Sequence, residues 1–318
     1  MDHGFEILVA DEAQWNSFFS ASVNKVPFSS AWWRNAICEL FDYSADYIIV
    51  RSKGENLCGA VVYYTKGKTR FAKHPFLTPY NTIVFSDKFK NDVHAMNGMR
   101  EFLDYIRRKY FYPYFVLDVE ATALLPGMSG WNISSGNTFI VNPVSTVLDN
   151  DIIRRSRRCE EEGFFVNFSF NPEAFTSLYL QTVMRQQIAV TPDKDKFVKF
   201  INTLQASGSA WMASCFDPSG RIHASWMQVE SDDKLYNWNA ASDSSLMNKG
   251  GTSFLVTQML MEIKKKYRIW DLCGADIPSV AKFKRGLGGE LVPYSKFFFK
   301  NYSILEKAGL RFKRHFQF

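Results

Sequence analysis

One succession of elements occurs twice along the 318 residues. A long stretch with apolar residues at helical spacing leads to a short apolar strand with a central aspartate, then a loop or short helix, then a final strand. In the first copy the helix covers residues 92–110, where Val93, Met96, Met99, Phe102, Leu103 and Ile106 share a face. Strand Tyr114–Val119 carries Asp118, a glycine-rich loop follows, and Thr138–Val141 closes the copy. The second copy runs through helix Thr252–Lys266, strand Ile269–Cys273 with Asp271, helix Ser279–Gly286 and strand Leu291–Lys300. Two similar α/β (α+β) halves are expected, each a mixed, largely antiparallel sheet flanked by helices. Residues 143–150 form the join, giving domains 1–145 and 146–318.

This length suits two cores of about 150 residues each. Hydrophobic residues at 46% and charged residues at 22% fit a globular protein and exclude a disordered one. Aromatics reach 16%, which has two explanations: an aromatic-heavy core, or an apolar groove for a long or flat substrate. No stretch approaches the roughly 18 to 20 uninterrupted apolar residues of a transmembrane helix. The opening Met1-Asp2-His3-Gly4-Phe5-Glu6 has no basic segment followed by an apolar run, so no secretory leader is expected. Five scattered cysteines, an odd number, fit free thiols in a reducing compartment. A soluble cytoplasmic protein is the expectation. Charge is uneven: from residue 151 onward there are 24 lysines and arginines against 17 aspartates and glutamates, whereas residues 1–150 hold 14 against 15. Such a surplus attracts anions but is far too small for a nucleic-acid-packaging protein, so no DNA partner is expected.

Common catalytic signatures are missing. The chain has no GxxxxGK[ST] phosphate loop, no GxGxxG opening a helix, no CxxC pair, no HExxH and no GxSxG elbow. Five dispersed histidines without ligand-spaced partners give no metal site. The informative stretch is 271–290. There a buried strand runs out into Gly274, Asp276 and Pro278, a short helix carries Lys282, Phe283, Lys284 and Arg285, and Gly286-Leu287-Gly288-Gly289 stops it. A strand end that splays into a loop is a natural crevice, and glycines let a ligand approach the backbone. Lys284 and Arg285 would supply charge for a phosphate or an oxyanion. A C-capped surface helix with solvated basic residues explains the same pattern. Tyr236 and Trp238 share one strand face and Asn237 and Asn239 the other, as either a ligand platform or a half-buried strand. Arg185-Gln186 at a helix end reads as an anion contact or as solvated residues. The Arg154–Arg158 run is a solvated face or a cleft lining.

The pattern Asp271-x-x-Gly-Ala-Asp-x-Pro-x-x-x-x-Phe-Lys-Arg-Gly-x-Gly-Gly289 resembles the terminal motif of FemAB-type aminoacyltransferases and of related tandem acetyltransferase-like (GNAT) proteins of bacterial envelope and polysaccharide synthesis. Pro27-Phe28 before Trp32-Trp33, Pro79-Tyr80-Asn81, the Arg154–Arg158 helix and Met184-Arg185-Gln186-Gln187 match in order, so the similarity spans nearly the whole chain. Leu287 departs from the aromatic usual at its position, and the helical hairpin arm of some FemA-like members has no counterpart.

The resemblance implies two GNAT-like domains and transfer of an acyl group onto an amine of a cell-envelope or polysaccharide precursor. The first half would act as substrate platform and the second as catalyst. Acyl-CoA is the implied co-substrate, lying on the splayed strand Lys234–Ala241 with its pyrophosphate at the helix start after Lys249-Gly250-Gly251. That stretch departs from the Gln/Arg-x-x-Gly-x-Gly/Ala signature, and a plain helix cap also explains it. Aminoacyl-tRNA as donor with a peptidoglycan precursor as acceptor is the alternative, and a non-catalytic binding protein on the same fold is a third. Lys284 would stabilise the oxyanion and Asp271 or Asp276 take the amine proton, Asp271 equally being a structural residue that holds the loop. Substrate contacts would come from Phe283, Arg285, Gly288, Gly289, Tyr236, Trp238, Asn239, Arg185 and Gln186, with Tyr80 and Asn81 from the first half. The basic, aromatic segment 307–318 would touch anionic lipid or simply fray.

Overall fold

A computed structural model of the chain describes residues 4–67, 69–89, 93–125, 130–188 and 192–299. Lys300, the expected end of the last strand, and the 307–318 segment lie outside them.

The chain opens with β1 (Phe5–Ala10), α1 (Glu12–Ser20) and α2 (Ala31–Phe41). Asp11 starts α1 with a capping box to Gln14. Ser30 starts α2 by accepting the Trp33 N–H. Next come β2 (Tyr43–Ser52), β3 (Glu55–Thr65), β4 (Ala72–Lys73) and β5 (Ile83–Phe85). These five strands form one antiparallel sheet, with β4 and β5 both on β3. Helix α3 (Val93–Lys109) buries Met99, Phe102, Leu103 and Ile106 against it, the face that the helical spacing predicts.

The strand expected over Tyr114–Val119 ends early. β6 spans only Tyr114–Val116, because the Asp118 carboxylate accepts the N–H groups of Glu120 and Ala121 and starts α4 (Val119–Leu124). A cap decides the local structure over the strand preference of the flanking apolar residues. Strand β7 (Asn132–Val141) follows, six residues longer at its start than its apolar end indicates.

The remaining elements are α5 (Asn150–Glu161), β8 (Phe165–Asn167), α6 (Pro172–Arg185), α7 (Lys194–Ala206), β9 (Ala210–Phe216), β10 (Ile222–Ser231), β11 (Lys234–Ser242), α8 (Gly251–Lys266), β12 (Ile269–Asp271), α9 (Pro278–Gly286) and β13 (Glu290–Phe298). A second sheet runs β6-β13-β7-β12-β11-β10-β9-β8, parallel only between β11 and β12. It is not confined to residues after 145. β13 inserts between β6 and β7, pairing with Asn132–Ile140 on one side and Tyr114–Val116 on the other.

Much of the aromatic surplus lies where the two halves meet. Phe28 packs on Tyr236 at 5.4 Å, and Trp33 on Trp238 at 5.9 Å and Phe200 at 5.6 Å. The Trp238 indole N–H donates to the Leu77 carbonyl at 2.7 Å within this buried cluster. Each aromatic pair adds about 0.5–1.5 kcal/mol beyond area burial, so the first-half loop around Leu77 is fixed to β11. Among the described residues no helix is long and apolar enough to cross a membrane.

Candidate functional site

The one parallel strand pair opens into a wedge. β11 and β12 pair from Lys234–Ile269 to Tyr236–Asp271 and no further. Beyond that point β11 continues to Ser242 with only β10 beside it. Its register on β10 shifts between Met227 and Val229, a bulge of the kind that re-aims a strand near a site. The chain after Asp271 turns away through Cys273 (φ 52) and Gly274 (φ 89), both left-handed.

A buried polar network holds that turn. The Asp271 carboxylate accepts the Cys273 N–H at 2.8 Å, the Thr138 hydroxyl at 2.6 Å and the Tyr80 hydroxyl at 2.9 Å. Thr138 Oγ1 accepts the Gly274 N–H at 3.1 Å. From the other side the Lys284 ammonium donates to the carbonyls of Leu272, Cys273 (3.2 Å) and Gly274 (2.8 Å). Burial pushes the Asp271 carboxyl up and the Lys284 ammonium down from their ordinary values.

The wedge opens into a cleft of about 1380 Å³. One wall is β11 from Asn237 to Ser242, where the Ala240 N–H reaches only the Asn239 side chain (3.1 Å) and the Ser242 N–H the Thr182 hydroxyl (3.3 Å). Another is the first turn of α8, with Gly250, Thr252 and Ser253. No side chain caps that helix, so its first N–H groups and the positive end of its dipole serve the cleft. Gly251 lets the helix start this close to β10, since a Cβ there would sit 2.6 Å from the His223 Cβ. Phe283 from α9 packs on Trp226 and lines the cleft with Lys282 and Arg285. Arg155 from α5, Arg185 at the end of α6 and its cap residue Gln186 complete it. Arg155 is paired with Asp151 at 2.8 Å. Among the described residues no ion pair involves Arg185, Lys282 or Arg285, which are exposed and available to an anion.

A second cavity of about 250 Å³ adjoins the first, lined by Phe76, Leu77 and Pro79 of the first half and Val183 and Ile188 of the second. Thr182, Gln186, Trp238, Asn239, Ala240 and Cys273 border both spaces.

The sequence-based site residues therefore divide. Phe283, Arg285, Trp238, Asn239, Arg185, Gln186 and Gly250 line the cleft. Tyr236 is buried against Phe28 and Tyr80, so the ligand-platform reading is corrected for its ring, which is core, while Trp238 on the same face borders the cleft. Asn81 staples its loop to β6, donating to the Tyr114 carbonyl and accepting the Val116 N–H. Tyr80 reaches Asp271 instead of the cleft lining. Asp276 is exposed beside Lys296 at 3.6 Å, and Lys249 is exposed outside the lining. Lys284 lines the cleft, but all three of its N–H bonds go to carbonyls, so the oxyanion role is corrected to positioning the loop. Asp271, enclosed by its own donors, is likewise a positioning group.

Gly288 and Gly289 serve packing. A Cβ on Gly288, at φ 76, would sit 2.3 Å from Thr146 Oγ1 and 2.6 Å from the Val147 carbonyl, and one on Gly289 would press on β7. Gly288→Ala is expected to cost about 2 kcal/mol or more in urea unfolding, from left-handed strain and the clash with the join. An unchanged midpoint would return Gly288 to the ligand-facing set. Cys273, Thr182, Phe76 and Leu77 border the site without having been singled out by sequence. Only the Cys-Gly step just past the apolar strand hinted at the first.

No protein-family model matches the chain, and no curated protein matches it. Among solved structures, FemX superposes with a TM-score of 0.70 at 13% identity, over 95% of this chain and 99% of that one. L-PGS from Bacillus licheniformis gives 0.57 at 14% identity, over 93% and 94%. A tandem GNAT protein from the clavulanic acid biosynthesis pathway gives 0.52 at 8%, over 92% and 97%. At these identities the likeness establishes the fold: a tandem GNAT architecture along nearly the whole chain.

Proposed function

We propose that this chain is an N-acyltransferase of GNAT/FemAB type, which moves an acyl group from an acyl-CoA onto an amine of an envelope or polysaccharide precursor. The observation that carries the reading is the wedge between β11 and β12, opening beside the uncapped start of α8. An extended acyl carrier can add to the free edge of β11, and its phosphates can meet the helix N-terminus and the unpaired Arg185, Lys282 and Arg285. The domain division at about residue 145 belongs to the same proposal, with the Phe76–Pro79 loop as the part of the first half that meets substrate. A cytoplasmic setting belongs to the same proposal, and the free thiols support it.

In the reaction the acceptor amine attacks the thioester carbonyl. The C–N bond forms, the C–S bond breaks, and the amine proton ends on the leaving thiol. The Asn239 amide N–H groups, oriented on the open edge of β11 by the Ala240 N–H that the Asn239 oxygen accepts, stabilise the oxyanion. Of the carboxylates on the cleft, Asp149 accepts the Asp151 N–H and Asp151 pairs with Arg154 and Arg155, so both serve α5. The leaving thiolate itself therefore takes the proton.

A second reading keeps the fold and changes the carrier to aminoacyl-tRNA, the donor oxygen then leaving as a ribose hydroxyl. The three unpaired cations favour it, since they suit a chain of phosphates, and FemX is a neighbour over 95% of the chain.

A thermal-shift titration with acetyl-CoA, longer acyl-CoAs and free CoA tests the first reading. Saturating CoA thioester at a hundred times its Kd stabilises by about 2.7 kcal/mol, and Arg285→Ala or Arg185→Ala weakens the shift without altering the unliganded protein. No shift with any CoA species, together with salt-sensitive retention of charged tRNA on a filter, replaces the first reading by the second. Silence in both assays leaves neither standing.

A further inference from the structure

Resting on the acyl-transfer reading above, we infer that the transferred group ends in an uncharged, largely apolar chain of medium size, held in the 250 Å³ cavity beyond β11. The cavity shares six bordering residues with the large cleft, so a carbonyl placed at Asn239 and Ala240 has its carrier on one side and this cavity on the other. Among the described residues no lysine, arginine, aspartate or glutamate lines it, whereas both signs of charge line the cleft. A charged side chain placed there loses its water and finds no counter-charge. The far wall is Phe76, Leu77, Pro79, Tyr179, Val183 and Ile188, and the amides of Gln186 and Asn239 stand at the shared border.

The cavity is also preformed. Leu77 is held through its carbonyl by Trp238, and the Thr182 hydroxyl is spent on the Leu178 carbonyl at 3.0 Å. A pocket with walls fixed in this way discriminates by size, because it does not collapse on a small group or yield readily to a large one. At about 30 Å³ for each methylene-sized group, the volume admits about eight carbons. Two sources share this chemistry: a short fatty acyl chain and an aminoacyl residue with an apolar side chain.

Primary amides carry the acyl part without any carrier, and their binding to the full chain is read by ligand-observed NMR. Affinity is expected to rise about fourfold per methylene from acetamide towards octanamide, then to stop rising at decanamide. Leucinamide or phenylalaninamide should bind at least tenfold more tightly than lysinamide. Val183→Phe, which fills the cavity, should weaken octanamide at least tenfold. Leu77→Ala, which enlarges it and leaves the backbone tether to Trp238, should move the optimum two or three carbons longer, and it stands as the test if the larger residue fails to fold. The tighter of octanamide and phenylalaninamide identifies the source. Affinity independent of chain length, lysinamide binding as well as leucinamide, or indifference to both substitutions overturns the inference. If CoA and tRNA both fail while the amides behave as described, the carrier reading falls and the pocket stands. Carrier binding without this amide pattern overturns the pocket alone.

Discussion

Lys284→Met lowers stability by about 3–5 kcal/mol and Tm by on the order of 8 °C, with donor binding lost in proportion. Among the described residues the ammonium is the only donor to the Leu272, Cys273 and Gly274 carbonyls from that side, and the residue is buried. Methionine fills the stem volume but leaves three inward-facing acceptors bare, each costing about 1–3 kcal/mol if water does not reach it. The buried Asp271 carboxylate also loses the nearest cation that favours its charged form. The loop that those carbonyls belong to forms one lip of the wedge, so its release should widen β11 from β12 and blunt the cleft. An oxyanion role predicts a different pattern: unchanged Tm and a loss of roughly 10² to 10³ in kcat alone. Differential scanning calorimetry on wild type and variant separates the two. A wild-type Tm with a collapsed rate would restore the catalytic assignment.

The order of the repeated elements was legible from periodicity, down to the buried face of α3, because local rules dominate there. The wedge was legible in part. Strand 234–241 and the Gly250-Gly251 helix start could be placed, yet the length of the parallel pairing depends on the neighbouring β7 and the Cys273 turn, which lie far apart in sequence. The insertion of β13 between β6 and β7 was invisible for the same reason, as register partners 150 residues away leave no periodic trace. Misreadings came from residues whose two possible jobs need the same chemistry. A glycine that admits a ligand and one that admits a crossing backbone both simply lack a Cβ, and Gly288 turned out to admit Thr146 and Val147. A basic residue on a short helix offers the same charge outward or inward, and Lys284 goes inward while its neighbour Arg285 stays out. The 16% aromatic content had two readings, and the packing of Trp33, Phe200 and Trp238 supports the core while leaving a small aromatic-edged cavity beside it.

The first-half counterpart of Asp271 carries the clearest pH signature. Asp118 is buried, accepts from the Thr82 hydroxyl at 2.6 Å and the Asn24 amide at 3.3 Å, and caps α4 with its other oxygen. Burial, opposed by those hydrogen bonds and reinforced by nearby Glu120, pushes its carboxyl up to about 6. Below the unfolded value near 3.8 both states hold the proton and the group adds no pH dependence. As pH rises from there to about 6, the unfolded chain releases its proton first, so unfolding becomes easier and stability falls. Across about two pKa units the loss is about 3 kcal/mol, complete above the folded value. Asp118→Asn keeps the shape, an acceptor for the α4 cap and a donor for Thr82, and cannot ionise. Its stability relative to wild type, from urea unfolding at intervals between pH 4 and pH 7, should therefore rise by about 3 kcal/mol. A difference that stays constant across that range would mean that the carboxyl ionises normally in the folded protein, and that its hydrogen bonds outweigh its burial.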